Sequence, residues 1–136
     1  MSVIIETKYT GNLECVAVHG PSGETMTTEA PADNGGQGRH FSPTDLVAVA
    51  LGTCILTIMG HVAKRDNLDL TGTTIRVEKE MSASAPRRIS ALTATTTFPP
   101  GLQLTPEQRR KLEAVPNACP VKQSLHPDTV LQVNFA

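Results

Sequence analysis

Two of the three cysteines in this 136-residue chain stand where a thiol could carry out redox chemistry. Cys54 lies within a long apolar run, and Cys119 stands directly before Pro120 at a predicted helix start. The thiolate is the reactive form of cysteine, and free backbone N–H groups at a helix start lower the pKa of a thiol. Cys119 therefore has a local reason to be reactive, although a simple capping position fits the same residues. Cys54 also fits two interpretations, because a free cysteine among apolar residues is commonly a small buried hydrophobe.

The remaining candidate residues form no metal site. Cys15 lies in a predicted strand without a neighbouring cation, so we interpret it as structural. The cysteines lack C-x-x-C spacing and no paired histidines support zinc binding, so we expect no metal and no cofactor. His61 follows Cys54 by seven residues and shares its helix face, but a separation of about 10 Å along the axis is too long for a direct thiol–imidazole bond.

Composition excludes several classes of function. Twelve Lys and Arg nearly balance 13 Asp and Glu, so no basic excess favours binding to nucleic acid or to an anionic membrane. Aromatic residues make up 3 % of the chain, too few for a base-stacking surface. The length predicts a single domain over residues 1–136. The first residues lack the pattern of a signal peptide, so we expect a cytoplasmic protein with reduced thiols.

The uncharged run from Leu46 to Ala63 predicts a helix that is apolar nearly all round. Its length is at the lower limit for a membrane span. The run also contains small and polar residues, namely Gly52, Thr53, Thr57, Gly60 and His61. We therefore interpret it as a helix buried on all sides. A small chain with few aromatic residues needs such additional buried area.

This helix has a recognisable start and end. Ser42 suits the N-cap, Pro43 the first helical position, and Asp45 the third, which together make a variant capping box. The structural interpretation of Asp45 is thus N-terminal capping. Lys64 and Arg65 suit the negative end of the helix dipole.

The other elements follow from alternation and turn residues. Three strands are predicted before the long helix, then two strands, two short helices and a final strand. The order is βββ-α-ββ-αα-β, an α+β arrangement. The predicted ranges are 2–9, 13–19, 24–29, 43–65, 71–81, 88–98, 105–115, a short helix after 119, and 129–135.

Two motifs carry a resemblance to a known family. The first runs from Ser42 to Leu46, SPTDL, into LGTC ending at Cys54, and the second is CPVKQSL from Cys119 to Leu125. With 64 residues between the two cysteines, the pair resembles the OsmC/Ohr family of thiol-dependent organic hydroperoxide reductases and their osmotically induced relatives. The element order is similar over nearly the whole chain.

The resemblance implies a fold, a reaction and partners. The fold would be an intertwined homodimer in which strongly curved antiparallel sheets wrap around a pair of long buried central helices. Cys54 matches the peroxidatic thiol of the family and Cys119 the resolving thiol. The thiolate of Cys54 would attack a small organic hydroperoxide, the sulfenic acid would condense with Cys119 to a disulfide, and an external dithiol would reduce it.

Two activating residues depart from the family pattern. The turn at residues 19–24 lacks the family's arginine. We infer that Arg39 replaces it as a catalytic residue, with Arg87 and Arg88 as weaker candidates for the activating cation. Thr44 stands where the hydroperoxide reductases have Glu, followed by Asp45, which other branches share. Asp45 and Cys54 lie about 13 Å apart along one helix on opposite faces, so a shared site would need the partner subunit.

These departures indicate a less typical branch of the family and leave a second hypothesis. The alternative is a non-peroxidase dimer of the same fold that binds small apolar molecules at the subunit interface.

Overall fold

The computed structural model describes every residue from Met1 to Ala136. The chain forms two compact units, Met1–Val47 and Ala48–Ala136. The order of elements confirms the α+β prediction. The elements are β1 Ile5–Gly11, β2 Glu14–His19, β3 Thr25–Glu29, α1 Pro43–Arg65, β4 Thr74–Met81, β5 Ile89–Thr97, α2 Pro106–Ala114, α3 Pro120–Ser124 and β6 Val130–Phe135.

The first unit contains an antiparallel sheet with the strand order β1-β2-β3. Its first hairpin turns at Gly11, which has a φ of 97° that favours glycine, and at Asn12. Cys15 lies in β2 between Tyr9 of β1 and Thr28 of β3. Residues on both faces of β1 are exposed, and only Gly11 at its end is partly covered.

The capping box predicted for α1 is confirmed. The Asp45 backbone N–H donates to Ser42 Oγ at 3.1 Å, and the Ser42 N–H donates to Asp45 Oδ2 at 2.9 Å. These reciprocal bonds satisfy two backbone donors that the first helical turn leaves open. They also fix where α1 begins and hence which side chains each face presents.

One face of α1 is buried in the chain. Its buried residues recur at helical spacing and are Leu51, Gly52, Ile55, Met59 and Ala63. The face rests on β4, because a Cβ at Gly52 would lie 3.1 Å from Ile75 and 3.2 Å from Val77. By length and composition alone α1 could also cross a membrane, and a single helix of this kind is weak evidence for a membrane span.

The opposite face of α1 is uncovered. Thr53, Thr57 and His61 are exposed there, and Cys54 and Ile58 are partly exposed. The expectation of a helix buried on all sides is therefore not met within one chain. Both faces of α1 carry apolar residues, but only the face that packs on β4 is buried.

The second sheet has the strand order β4-β5-β6. β4 and β5 are antiparallel, whereas β5 and β6 are parallel, with Ala91 opposite Val130 and Thr96 opposite Phe135. The expectation of purely antiparallel sheets was therefore wrong. The chain between β5 and β6 crosses over through α2 and α3, and a crossover of this length returns the second strand in the direction of the first.

The crossover brings Cys119 to the helix layer. A capping box between Thr105 and Gln108 starts α2. Leu112 of α2, then Val115 and Pro116, are buried and lead directly into Cys119. The packing of this segment determines the position of the second candidate thiol.

Candidate functional site

Cys119 is the N-cap residue of α3 and is completely buried. Its Sγ accepts a hydrogen bond from the backbone N–H of Lys122 at 3.5 Å, and the Val121 N–H also points to it. The capping interpretation of Cys119 is therefore correct for the local geometry. Pro120 occupies the first helical position, where a missing N–H costs no hydrogen bond.

Cys54 is a close neighbour of Cys119, and its thiol interacts with the Cys119 thiol. Neither forms a disulfide in this structure, so the pair is a dithiol. Cys54 is partly exposed and Cys119 is not. The structure thus brings together the two cysteines of the sequence motifs and distinguishes them by their access to solvent.

Burial raises the pKa of the Cys119 thiol, and the neighbouring Cys54 raises the pKa further. The Lys122 and Val121 N–H groups act in the opposite direction but are outweighed. The prediction that the helix start lowers the pKa of Cys119 was therefore wrong in its net direction, because removing a thiolate from water costs more than two N–H groups return. Cys119 keeps its proton at neutral pH.

Cys54 opens into a groove of about 410 Å³ along the uncovered face of α1. The groove is mainly apolar. It is lined by Ala50, Thr53, Cys54, Thr57, Ile58 and His61 of α1 and by Pro120 and Val121 of α3. A small apolar molecule in this groove would touch the Cys54 side chain.

Arg39, the candidate activating cation, lies in the first unit and binds two carboxylates. Its Nη2 is 2.9 Å from Glu29 Oε2 and also contacts Glu14 Oε1, and its backbone N–H donates to Glu29 Oε1 at 2.8 Å. The Glu29 side chain is 1 % exposed, so the charge of this buried carboxylate is compensated by its ion pair with Arg39. A catalytic role for Arg39 stays a prediction.

Asp45 and Thr44 both take part in the first turn of α1. Asp45 binds the Ser42 N–H as described, and Thr44 Oγ1 lies 3.2 Å from Ser42 Oγ. These contacts account for both residues locally, and a catalytic role for Asp45 stays a prediction.

The residues that the sequence analysis missed are Glu29, Pro120 and Val121. Glu29 is a buried carboxylate at the end of a threonine-rich strand, and an acidic residue at a strand end was the one sequence feature that could have indicated it. Pro120 and Val121 form a groove wall, which no local pattern marks. No group of three or more His, Cys, Asp or Glu side chains is placed to hold a metal ion.

Comparison with known proteins identifies similar sequences and folds. The profile of the family described as OsmC-like protein matches residues 36–134. A Psychrobacter arcticus protein, provisionally named for osmotic stress induction and detoxification response, is 38 % identical over 97 % of this chain and 94 % of its own, with a TM-score of 0.89. No functionally curated protein matches significantly.

More distant structures share the fold alone. The organic hydroperoxide resistance protein OsmC of Legionella pneumophila is 15 % identical over 100 % of this chain and 97 % of its own, with a TM-score of 0.77. The organic hydroperoxide resistance protein OhrB of Bacillus subtilis is 14 % identical over 100 % and 98 %, with a TM-score of 0.72.

The difference in access between the two thiols predicts selective labelling. Iodoacetamide at neutral pH should alkylate Cys54 of the native protein well before Cys119, because Cys119 is buried and protonated. Peptide mapping by mass spectrometry measures the order. In C54S, Cys119 should stay unlabelled until the protein is denatured. Labelling of Cys119 at the rate of Cys54 would contradict the geometry.

The pairing of Glu29 predicts acid sensitivity. Arg39 holds the pKa of Glu29 below its ordinary value through hydrogen bonds to the side chain and from the backbone. A lowered folded-state pKa stabilises the protein above the unfolded pKa, and this contribution is lost as the pH falls below about 4. In E29Q the urea midpoint should be lower at pH 7 and should fall less on acidification than in wild type.

The matched control for E29Q is E24Q, because Glu24 is an exposed glutamate of the same unit. Its pH dependence should follow wild type. Equal acid sensitivity of E29Q and wild type would refute the stabilising role of the ion pair.

Proposed function

The chain belongs to the OsmC-like protein family, and we propose that it is a thiol peroxidase that reduces small organic hydroperoxides to alcohols. One observation carries the proposal: a partly exposed thiol, Cys54, opens to an apolar groove and contacts a buried thiol, Cys119. The groove can admit an organic peroxide, and the second thiol is in place to resolve the oxidised first one.

In the first half-reaction the Cys54 thiolate attacks the terminal peroxide oxygen. An S–O bond forms, the O–O bond breaks, and its electron pair leaves with the alkoxide, which takes up a proton and departs as an alcohol. Cys54 performs this step because the raised pKa of Cys119 leaves that thiol protonated. The Cys119 S–H can donate a hydrogen bond to the Cys54 sulfur.

In the second half-reaction Cys119 attacks the sulfenic sulfur, a disulfide forms, and water leaves. The contact between the thiols supports this step, since condensation needs no large movement of the chain. An external dithiol then restores both thiols by exchange. A cytoplasmic location, where thiols are kept reduced, suits such a cycle.

The proposal retains Arg39 and Asp45 as catalytic residues with specified roles. Arg39 would stabilise the thiolate, and Asp45 would act from the helix start of a partner subunit. Both compete with the local contacts described above, because Arg39 binds Glu14 and Glu29 and Asp45 caps α1.

We further propose a homodimer. Apolar side chains are exposed in both units, and they include Val3, Ile5, Tyr9, Val49 and Val130. Exposed apolar surface is typical of protein–protein interfaces, so these side chains support an interface with a second copy. A second copy would cover the open face of α1 and supply the buried area that a chain with few aromatic residues lacks.

The apolar groove also favours a second candidate function, in which the dimer binds small apolar molecules without reducing them. Binding would then raise the unfolding temperature equally in wild type and in C54S, because no chemistry at sulfur is involved. The peroxidase proposal requires in addition that Cys54 changes its oxidation state.

The peroxidase proposal predicts a mass change. One equivalent of cumene hydroperoxide should remove two hydrogen atoms from the reduced protein, as measured by intact-mass spectrometry. C54S should show no change, and C119S should stop at a Cys54 sulfenic acid that dimedone traps. C15S is the matched control and should behave as wild type. An unchanged mass at Cys54 and Cys119 in wild type would refute the proposal.

The dimer proposal predicts sedimentation at twice the chain mass of 14.5 kDa. V49K places a charge on the exposed part of α1, where Val49 is 39 % exposed, and should shift the equilibrium toward monomer. A wild-type protein that sediments as a monomer at micromolar concentration would refute the dimer.

A further inference from the structure

His61 is an ionisable side chain that shares the groove with the Cys54 thiol. The groove runs along α1 from Ala50 to His61 and is otherwise lined by apolar residues and threonines. His61 is exposed, and no hydrogen bond or ion pair within the chain holds its imidazole. Within the chain, both ring nitrogens are therefore open to a molecule in the groove, whether or not a second copy closes the groove from outside.

We propose that His61 is a catalytic residue that protonates the leaving alcohol when Cys54 reduces a hydroperoxide. This inference rests on the proposed peroxidase function and assigns a residue to its proton transfer. The imidazolium of His61 gives its proton to the alkoxide released from the broken O–O bond. Neutral imidazole remains and takes up a proton from water before the next turnover.

The direction of the displacement places the leaving oxygen on the side of the groove. In a displacement at oxygen, the leaving group departs opposite the attacking sulfur. Cys119 lies on the buried side of Cys54, so the substrate must enter from the groove. The alkoxide oxygen therefore forms among groove-lining residues and not beside Cys119.

The spacing suits a substrate-bridged contact. Two helical turns separate the Cα atoms of Cys54 and His61 by about 10 Å along the axis, too far for a direct thiol–imidazole bond. Every helical side chain tilts toward the N-terminus, so the imidazole leans toward Cys54 while the thiol leans away from His61, and the length of the imidazole side chain is what reaches into the gap. A peroxide whose O–O bond points away from the Cys54 sulfur occupies part of this gap. The proton of His61 can then reach the leaving oxygen directly or through one water.

No other groove residue is suited to give this proton. The alanine, isoleucine, proline and valine side chains carry no acidic hydrogen. Thr53 Oγ1 donates its hydrogen to the Val49 carbonyl at 2.8 Å, and the Thr57 hydroxyl is a far weaker acid than an imidazolium. Histidine is the side chain that exchanges protons near neutral pH.

The test compares two oxidants that differ in the need for a proton. Cumene hydroperoxide releases a basic alkoxide, whereas peracetic acid releases acetate, which leaves without protonation. In single-turnover oxidation of Cys54, H61Q should lower the rate with cumene hydroperoxide by about 100-fold and leave the rate with peracetic acid unchanged. H126Q, which changes an exposed histidine outside the groove, should match wild type with both oxidants.

Two further measurements separate chemistry from structure. The rate of Cys54 alkylation by iodoacetamide should be the same in H61Q and wild type, because alkylation involves no alkoxide. In H61A, which also frees space in the open groove, added imidazole should restore part of the rate with cumene hydroperoxide. This second variant keeps the test valid if H61Q folds poorly.

Two results would overturn the role of His61 alone. These are an undiminished rate of H61Q with cumene hydroperoxide, or an equal loss of rate with both oxidants. If wild type itself fails to react with cumene hydroperoxide, the proposed peroxidase function falls, and the role of His61 falls with it.

Discussion

The burial of one apolar face of α1 is the constraint on which the arrangement of the second unit depends. α1 must bury one apolar face on β4 and turn Cys54 to the other side. The crossover from β5 to β6 must then carry Cys119 beneath that side, which its buried residues Leu112 and Val115 achieve. A parallel β5–β6 pair follows from this route, since the chain covers the helix layer before it returns to the sheet.

Burial distinguishes the two thiols, since Cys119 is buried and Cys54 is partly exposed. Desolvation raises the pKa of Cys119 more than the N–H groups of Lys122 and Val121 lower it. Cys119 is therefore a protonated thiol next to Cys54, and of the two cysteines only Cys54 lines the groove. The apolar groove wall and the buried thiol of Cys119 both come from the segment 119–121, which lies against α1.

The sequence predicted what depends on neighbouring residues and missed what depends on distant ones. The capping box of Ser42 and Asp45 spans three residues, so its geometry could be inferred from residue types alone. The contact of Cys54 with Cys119 spans 64 intervening residues, and only the family resemblance brought them together beforehand. The raised pKa of Cys119 arises from burial, and the parallel pairing of β6 arises from the direction of the crossover. Neither can be read from a short stretch of sequence.

The distribution of charge limits how the groove can support peroxide reduction. The cluster of Arg39 with Glu14 and Glu29 carries one positive and two negative formal charges, so at distances beyond the cluster it acts as a net negative group. The near-neutral charge of the chain supplies no broad positive field either. Under the proposed function, catalysis in the groove also uses short-range donors. These are the S–H of Cys119, which is buried behind Cys54 outside the groove lining, and the imidazole of His61, which lines the groove. The Cys119 S–H would act on the attacking sulfur and the His61 imidazole on the leaving oxygen, in addition to the stabilisation of the thiolate proposed for Arg39.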